Sequence, residues 1–546
     1  MKLYTNIYII VVYIVIQLLD TIVSNQVNSS TTNPQDNIKK VESPFEKLED
    51  AYYLIFINNT IENKFDNGSN SIISDIHTLI VNNKHTYKEP EKLKKIEQDS
   101  KLNKTQFRYL IDYGDSNYVY PISNSLSGEE DTALLYSYLS EDLVKIVRSL
   151  PNVITCELNN QFEYFNSSLP SSPLLSPLLA SSITTTLSSS SAAAAHYNKK
   201  DIKLETNWKD VEIRENSDLH LSILSQGKFK NDDDENHPYD TNYYYPSTAG
   251  KDIDIFIFDS GFNFNHAEFS NKDERDAKCI LMISGGRVIQ PFSDDYCHGP
   301  NLDDHGSGVA DNAAGLKHGV ANKANVYGIY LNELDEVNYI AGLEYISKYL
   351  FRPYKAVFNF SFGGYYSISD LNKFVYREQS IINYLASQGG IFVAAAGNEN
   401  VSVYSEKDNR IVFPCSFNHV ICVGGIENVD SKDPFTTIMH SSNYKKAKLS
   451  NYGTFVSLYA PFYTHVAFKD SNLQDVEYLA SGTSFSSSLV AGIVATIMSE
   501  NKDIKFTTYS MLYYLTTLSS NNTISGVPDD YPNLLINNGK NTVYPG

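Results

Sequence analysis

From Asp252 onward, short apolar runs alternate with longer amphipathic ones. "DIDIFIF", "KAVFNF", "GGIFVAAA" and "HVICVGGI" are continuous in Ile, Val, Phe and Ala rather than alternating, and several lead into glycine turns. Runs of this kind predict strands buried on both faces. Between them, "EVNYIAGLEYISKYL" and "QSIINYLASQ" carry helical spacing. Strand and helix in alternation predict an α/β fold, a mostly parallel sheet with helices on both faces. In such a sheet, ligands and reactive groups gather at the carboxyl ends of the strands.

The chain before this region reads differently. "AYYLIFIN" predicts a strand, and "SEDLVKIVRSLPNVITCELN" predicts a helix followed by a second strand. The helix would bury Leu143, Ile146, Val147 and Leu150 on one face, with Glu141 and Asp142 in its first turn and Pro151 after its end. Residues 42–163 therefore form a small α+β unit. Asn166 to Ala195 is uncharged and biased to Ser, Thr, Pro and Ala, a linker composition open to proteolysis. A second loose patch, "NDDDENHPYDTNYYYPSTAG", ends at Gly250, so residues 164–250 are a low-complexity linker and entry segment, and residues 251–546 are the α/β region.

The first residues carry an address. Ile7 to Leu19 is apolar but shorter than the roughly 20 residues that span a bilayer, and Ser24 offers a small residue for cleavage. Residues 1–24 read as a signal peptide, with no stable membrane span. Acceptor triplets for N-glycosylation begin at Asn28, Asn58, Asn67, Asn103, Asn166, Asn400 and Asn521, and Asn359 matches inside an apolar run that predicts burial. A formal charge of -20 with no dense Lys/Arg run excludes nucleic acid and anionic membrane surfaces as main partners. The 5 cysteines fit no zinc pattern. In an oxidising compartment Cys279 and Cys297 could pair, whereas Cys422, inside an apolar run, reads as a buried free thiol.

Candidate chemistry sits in three segments. "IFIFDSG" places Asp259 at a strand's carboxyl end, "DDHGSGVADNAAG" places His305 at the start of a small-residue helix, and "ASGTSFSSSLVAG" places Ser484 likewise. Taken singly, each fits a cap or a structural polar group. His298, His266 and Ser486 to Ser488 are poorer candidates by their placement.

Taken together, and in that chain order, these segments resemble the motifs of the subtilisin-like serine peptidases, with the fungal proteinase K and cerevisin group as the nearest flavour. "FIFDSGFNFNHAEF", "DHGSGVADNAAGLKHGVANKANVYGI" and "SGTS" with "VAG" resemble the Asp, His and Ser motifs. "NFSFGG" is similar to the strand lining the peptide cleft, "AAAGN" to the oxyanion segment, and "SNYGTFVSLYAP" and "YPNLLINNG" to late segments.

The resemblance implies a subtilisin-like fold with Asp259, His305 and Ser484 as catalytic triad and Asn398 as oxyanion-hole donor. It also implies Ser361, Phe362 and Gly363 as the substrate-binding edge. Residues 42–163 would be an inhibitor-like propeptide, and the product a self-processed, secreted, wall or vacuolar endopeptidase. The expected partners are polypeptide substrates and the chain's own propeptide, acting as a monomer. No cofactor is required for the chemistry, no metal ligand is assigned, and structural calcium is compatible with the family.

The sequence also departs from the family pattern. Asp304 replaces a Gly before the His, Ser307-Gly308 replaces Thr-His, Asp311 replaces a Gly, Phe485 to Leu489 replaces Met-Ala-Ser-Pro-His, and Phe462 replaces a Gly. Asp304 would raise the basicity of His305. The alternative reading of these changes is a catalytically impaired protein that keeps the fold for binding.

Overall fold

The structure is a computed structural model. It describes residues 48–58, 68–106, 108–123, 132–164, 197–227, 240–299, 305–428, 444–469 and 475–544. The signal peptide, the linker Asn166 to Ala195, Asp304, and the acceptors Asn28, Asn67 and Asn166 lie outside these residues.

Residues Glu49–Gly546 form one compact unit. Its first part is an antiparallel sheet built from β1 (Ala51–Asn58), β2 (Val119–Ser123), β3 (Thr132–Leu139) and β4 (Val153–Leu158), in the order β2-β3-β1-β4. Helices α1 (Gly68–Asn82), α2 (Pro90–Gln106) and α3 (Glu141–Arg148) accompany it. The Ser140 side chain caps α3 by accepting from Leu143 N. The buried face of α3 is Leu143, Val144 and Val147, while Ile146 is exposed. The buried face thus lies part of a turn from the one its sequence predicts, because a helix this short leaves its phase to whichever surface it packs on. A short strand, β5 (Glu163–Tyr164), leads out of this part.

The second part is dominated by a 13-stranded sheet. Its centre runs β7 (Ala277–Ser284), β8 (Asn325–Leu331), β6 (Asp254–Asp259), β9 (Ala356–Phe360), β11 (Ile391–Ala395), β12 (Val420–Asn428) and β13 (Val456–Pro461), and neighbours pair in parallel. All of β6, β9 and β11 is buried, as continuous apolar runs demand. Beside this sheet stand β10 (Phe362–Ser367) and the hairpin β14 (Tyr463–Lys469) with β15 (Asp475–Ser481). The helices are α4 (His305–Ala314), α5 (Glu336–Tyr349), α6 (Lys373–Ser387) and α7 (Thr483–Glu500).

Helix α7 is buried over its whole length. Its small residues allow this: a Cβ on Gly492 would stand 2.6 Å from the Ala313 carbonyl oxygen and 2.7 Å from Val320 Cβ. Close approach there packs α7 against the end of α4, and the two helix starts carry Ser484 and His305. The α/β architecture is the expected one. In the entry segment, Tyr243–Pro246 is no loose patch but a fully buried strand, antiparallel to Val211–Arg214. Its aromatic run fills a core that the neighbouring polar residues hide in the pattern.

Two disulfides stand among the described residues, Cys279–Cys297 and Cys415–Cys422, and the buried Cys156 belongs to neither. The Cys422 expectation is therefore corrected. A buried apolar strand position fits a free thiol and a half-cystine equally well, and only the fold brings Cys415 beside it. Asn359 is fully buried, as its apolar neighbours predicted. Among the described residues, no helix is long and apolar enough to cross a membrane.

Candidate active site

Parallel strands deliver their carboxyl ends to one edge of the sheet, and the candidate residues arrive there from different elements. Asp259 ends β6 and is fully buried. His305 opens α4, and its Nδ1 lies 2.8 Å and 3.0 Å from the two carboxylate oxygens of Asp259. Asp259 Oδ1 is also fixed by the Ser260 backbone N–H at 2.7 Å. This geometry assigns the imidazole's Nδ1 proton to the carboxylate and turns Nε2 away from it.

Ser484 lies in the first turn of α7, where unshared backbone N–H groups give the helix end a partial positive charge. Its hydroxyl donates to the Ser361 carbonyl oxygen at 3.0 Å. The next residue, Phe485, sets its ring edge-on to the His305 ring with centroids 5.5 Å apart. The structure therefore brings the start of α7 against the start of α4, although 179 residues separate His305 from Ser484 (484 − 305).

Asn398 follows β11 and is nearly buried. Its Oδ1 accepts from both Thr483 N and Thr483 Oγ1, each at 3.0 Å, which fixes which end of the amide faces Thr483. Thr483 Oγ1 also accepts from Gly397 N at 3.0 Å. Asn451 braces the same turn: its Nδ2 donates to the Ala396 carbonyl oxygen at 2.9 Å, and its Oδ1 accepts from Glu399 N and Val401 N. Reading the sequence located Asn398 but assigned no role to Thr483 or Asn451. The Thr before Ser484 in "SGTS" was the available signal, and its partner is visible only in three dimensions.

Ser361, Phe362 and Gly363 lie beside Ser484 and form an edge that the chain itself occupies. β5 pairs antiparallel with β10, Tyr164 opposite Phe362 and Glu163 opposite Gly363. Two residues before Tyr164, the buried Phe162 ring enters a pocket of Tyr339, Phe362 and Phe374, at centroid distances of 5.7, 5.2 and 6.2 Å. The preceding residues cover two helix starts. The Asn160 carbonyl oxygen accepts from Glu336 N at 3.1 Å at the start of α5, and Glu157 accepts from Lys373 N and Phe374 N at the start of α6.

The family departures fit one another. Ser307 Oγ accepts from Asn263 N at 2.6 Å. Phe462 lies over Gly425, where a Cβ would stand 2.3 Å from its ring. His266, rejected as a base, is buried and accepts from Glu268 N through Nδ1.

Fold and site define a parallel α/β protein with an Asp–His pair and a helix-borne Ser at the carboxyl edge of its sheet. The chain belongs to the subtilase family, Peptidase S8, whose model matches residues 250–533. It is 30% identical to Subtilisin-like protease 7 of Arthroderma gypseum over 48% of this chain and 56% of the relative. It is 27% identical to Subtilase-type proteinase RRT12 of Saccharomyces cerevisiae over 66% and 65%. The match thus spans little more than half the length of the first relative. A cold adapted subtilisin-like serine proteinase of known structure covers 59% of the chain at 21% identity, with a TM-score of 0.41.

Proposed function

We propose that the chain is a secretory-pathway serine endopeptidase that hydrolyses peptide bonds through an acyl-enzyme and is made as a self-inhibited, self-processed precursor. The observation that carries this reading is the pairing of Glu163–Tyr164 with Gly363 and Phe362, next to Ser484. A peptide strand added to a sheet edge gains affinity through main-chain hydrogen bonds, and here it runs toward a serine supported by a His–Asp pair.

In this mechanism His305 takes the Ser484 proton while Asp259 holds the imidazole tautomer and stabilises the imidazolium. The Ser484 oxygen bonds the substrate carbonyl carbon. The oxyanion that develops is met by the Asn398 amide and the α7 start, positioned before the reaction begins. His305 returns the proton to the leaving amine, and water releases the acyl group by the reverse sequence. No cofactor enters these steps.

The N-terminal α+β unit acts as intramolecular inhibitor, and the bond cut in self-processing lies just beyond Tyr164. The aromatic pocket around Phe162 favours substrates with a large apolar side chain at the corresponding position. Two disulfides fit an oxidising, secretory route.

A fluorophosphonate probe tests the reading, because only an activated serine reacts. Purified protein is expected to be labelled and Ser484→Ala is not, and mass spectrometry is expected to find a new N-terminus beyond Tyr164 only in the parent. An unlabelled, intact parent would leave a subtilase fold retained for binding.

A further inference from the structure

Below the Asp–His pair, the loop after β6, the middle of α4 and the loop after α4 bring Glu268, Asp311 and His318 together. All three are buried, Asp311 and His318 completely, and one potential ligand atom from each lies within 4.8 Å of the others. Zn2+ bonds to His nitrogen and carboxylate oxygen of about 2.0–2.2 Å bring ligand atoms to roughly 3–4 Å of one another, so a small side-chain closure completes such a set.

The atoms around the cluster are oriented as ligands. Asp311 Oδ2 accepts from Ala467 N at 2.6 Å and faces His318 Nδ1 at 2.9 Å, whereas its Oδ1 has no hydrogen-bond partner although the residue is fully buried. The turn is kept bare beside that oxygen, since a Cβ on Gly315 would fall 1.7 Å from it. Glu268 Oε2 accepts from Lys317 N at 2.6 Å, and its Oε1 faces His318 Nδ1 at 3.8 Å. On the other side of the ring, His318 Nε2 faces Asp218 Oδ2 and Glu477 Oε1, each at 3.8 Å. Both approaches are longer than a hydrogen bond, and the same small closure onto a cation would bring a carboxylate behind the second nitrogen, the usual way a ligating imidazole is oriented. Asp218 is itself fixed by His465 Nδ1 at 2.6 Å.

We propose that Glu268, Asp311 and His318 form a binding site for a divalent cation of the Zn2+ class, with Asp218 orienting His318 from outside. One imidazole and two carboxylates suit a borderline cation better than a purely oxygen-seeking one. The cation is a structural clamp, tying the segment that follows Asp259 to the helix that begins with His305. The competing occupant is a proton: His318 as imidazolium between the acids, with the buried Arg275 guanidinium and the Lys317 ammonium, paired with Glu477, as further positive charges nearby.

The test uses untagged full-length protein, stripped with chelator and then dialysed against Zn2+ or Co2+. The parent is expected to take up about one equivalent, read by elemental analysis, and the Co2+ form to show visible d–d absorption. Asp311→Asn and His318→Gln are expected to lose affinity by about 100-fold or more, and Asp218→Asn by about 10–100-fold without removal of a ligand. Zn2+ is expected to raise the Tm of the parent and leave that of His318→Gln unchanged. A parent that takes up no metal overturns the proposal. So does uptake that is the same in the parent, His318→Gln and Asp218→Asn, and either result leaves the proton-bridged cluster. Should a ligand variant fail to fold, the Asp218→Asn comparison decides.

Discussion

Gly308 and Phe485 share one space: a Cβ on Gly308 would stand 3.2 Å from the Phe485 ring, and that ring lies edge-on to His305. Both positions depart from the family pattern, and each departure makes room for the other. Gly308→Ala is expected to destabilise by about 1–3 kcal/mol through overpacking. In a Phe485→Leu background the cost is expected to be smaller but not abolished, since Val466 also stands 3.2 Å from that Cβ. Urea unfolding of the four proteins of the cycle checks this, and equal effects in both backgrounds would refute the coupling.

The Asn398 amide is aimed by Thr483 through both its N–H and its hydroxyl. Asn398→Ala is expected to lower kcat by about 10²–10³ with KM little changed, as loss of an oxyanion donor does. Thr483→Val keeps the shape and removes two hydrogen bonds, the one its hydroxyl donates to Asn398 Oδ1 and the one it accepts from Gly397 N; loss of the bond that aims the amide, about 1 kcal/mol, gives a fall of up to about 10-fold. In Asn398→Ala the further change to Val at 483 should have little effect, and steady-state kinetics of the double variant tests that dependence.

The Phe162 pocket predicts the strength of self-inhibition. Phe162→Ala removes a buried ring from Tyr339, Phe362 and Phe374. A loss near 3 kcal/mol, the lower range for such truncations, corresponds to about 10²-fold weaker inhibition by the cleaved N-terminal unit. The inhibition constant measured with a peptide substrate would show it, and an unchanged constant would remove the pocket from the argument.

Self-inhibition should also depend on pH. Asn159, Asn160 and Gln161 cover Asp335 and Glu336, and burial pushes both carboxyls up to about 7. Burial also holds Glu378 above its ordinary range, and Glu157 and Glu333 add negative charge nearby. Acids whose pKa is raised in the bound state take up protons on binding. Their contribution is therefore full below the ordinary carboxylate range near pH 4, is lost as pH rises toward about 7, and is absent above it. The inhibition constant is expected to rise between about pH 4 and pH 7 and then level off, with a shallower rise in Glu336→Gln. A flat profile in the parent would contradict it.

How much was legible beforehand follows from where the physical signal resides. β6, β9, β11 and β12 announce themselves because strands covered on both faces must be apolar throughout. The small-residue segments at His305 and Ser484 stand out because helices packed this closely exclude large side chains. The face of α3, the strand Tyr243–Pro246 and the Cys415–Cys422 pairing did not stand out, since each depends on a partner distant in sequence or on a local phase that short segments leave open.

The sequence by itself determined the α/β class, the order of Asp259, His305 and Ser484, and the segments that carry them, because periodicity and glycine turns are local properties. Only the tertiary structure decided that Thr483 and Asn451 aim Asn398, that Glu163–Tyr164 fills the edge at Phe362 and Gly363, and that Glu268, Asp311 and His318 share one buried space. These are distances between side chains on different elements, and they come into being only when the sheet places the ends of its strands together.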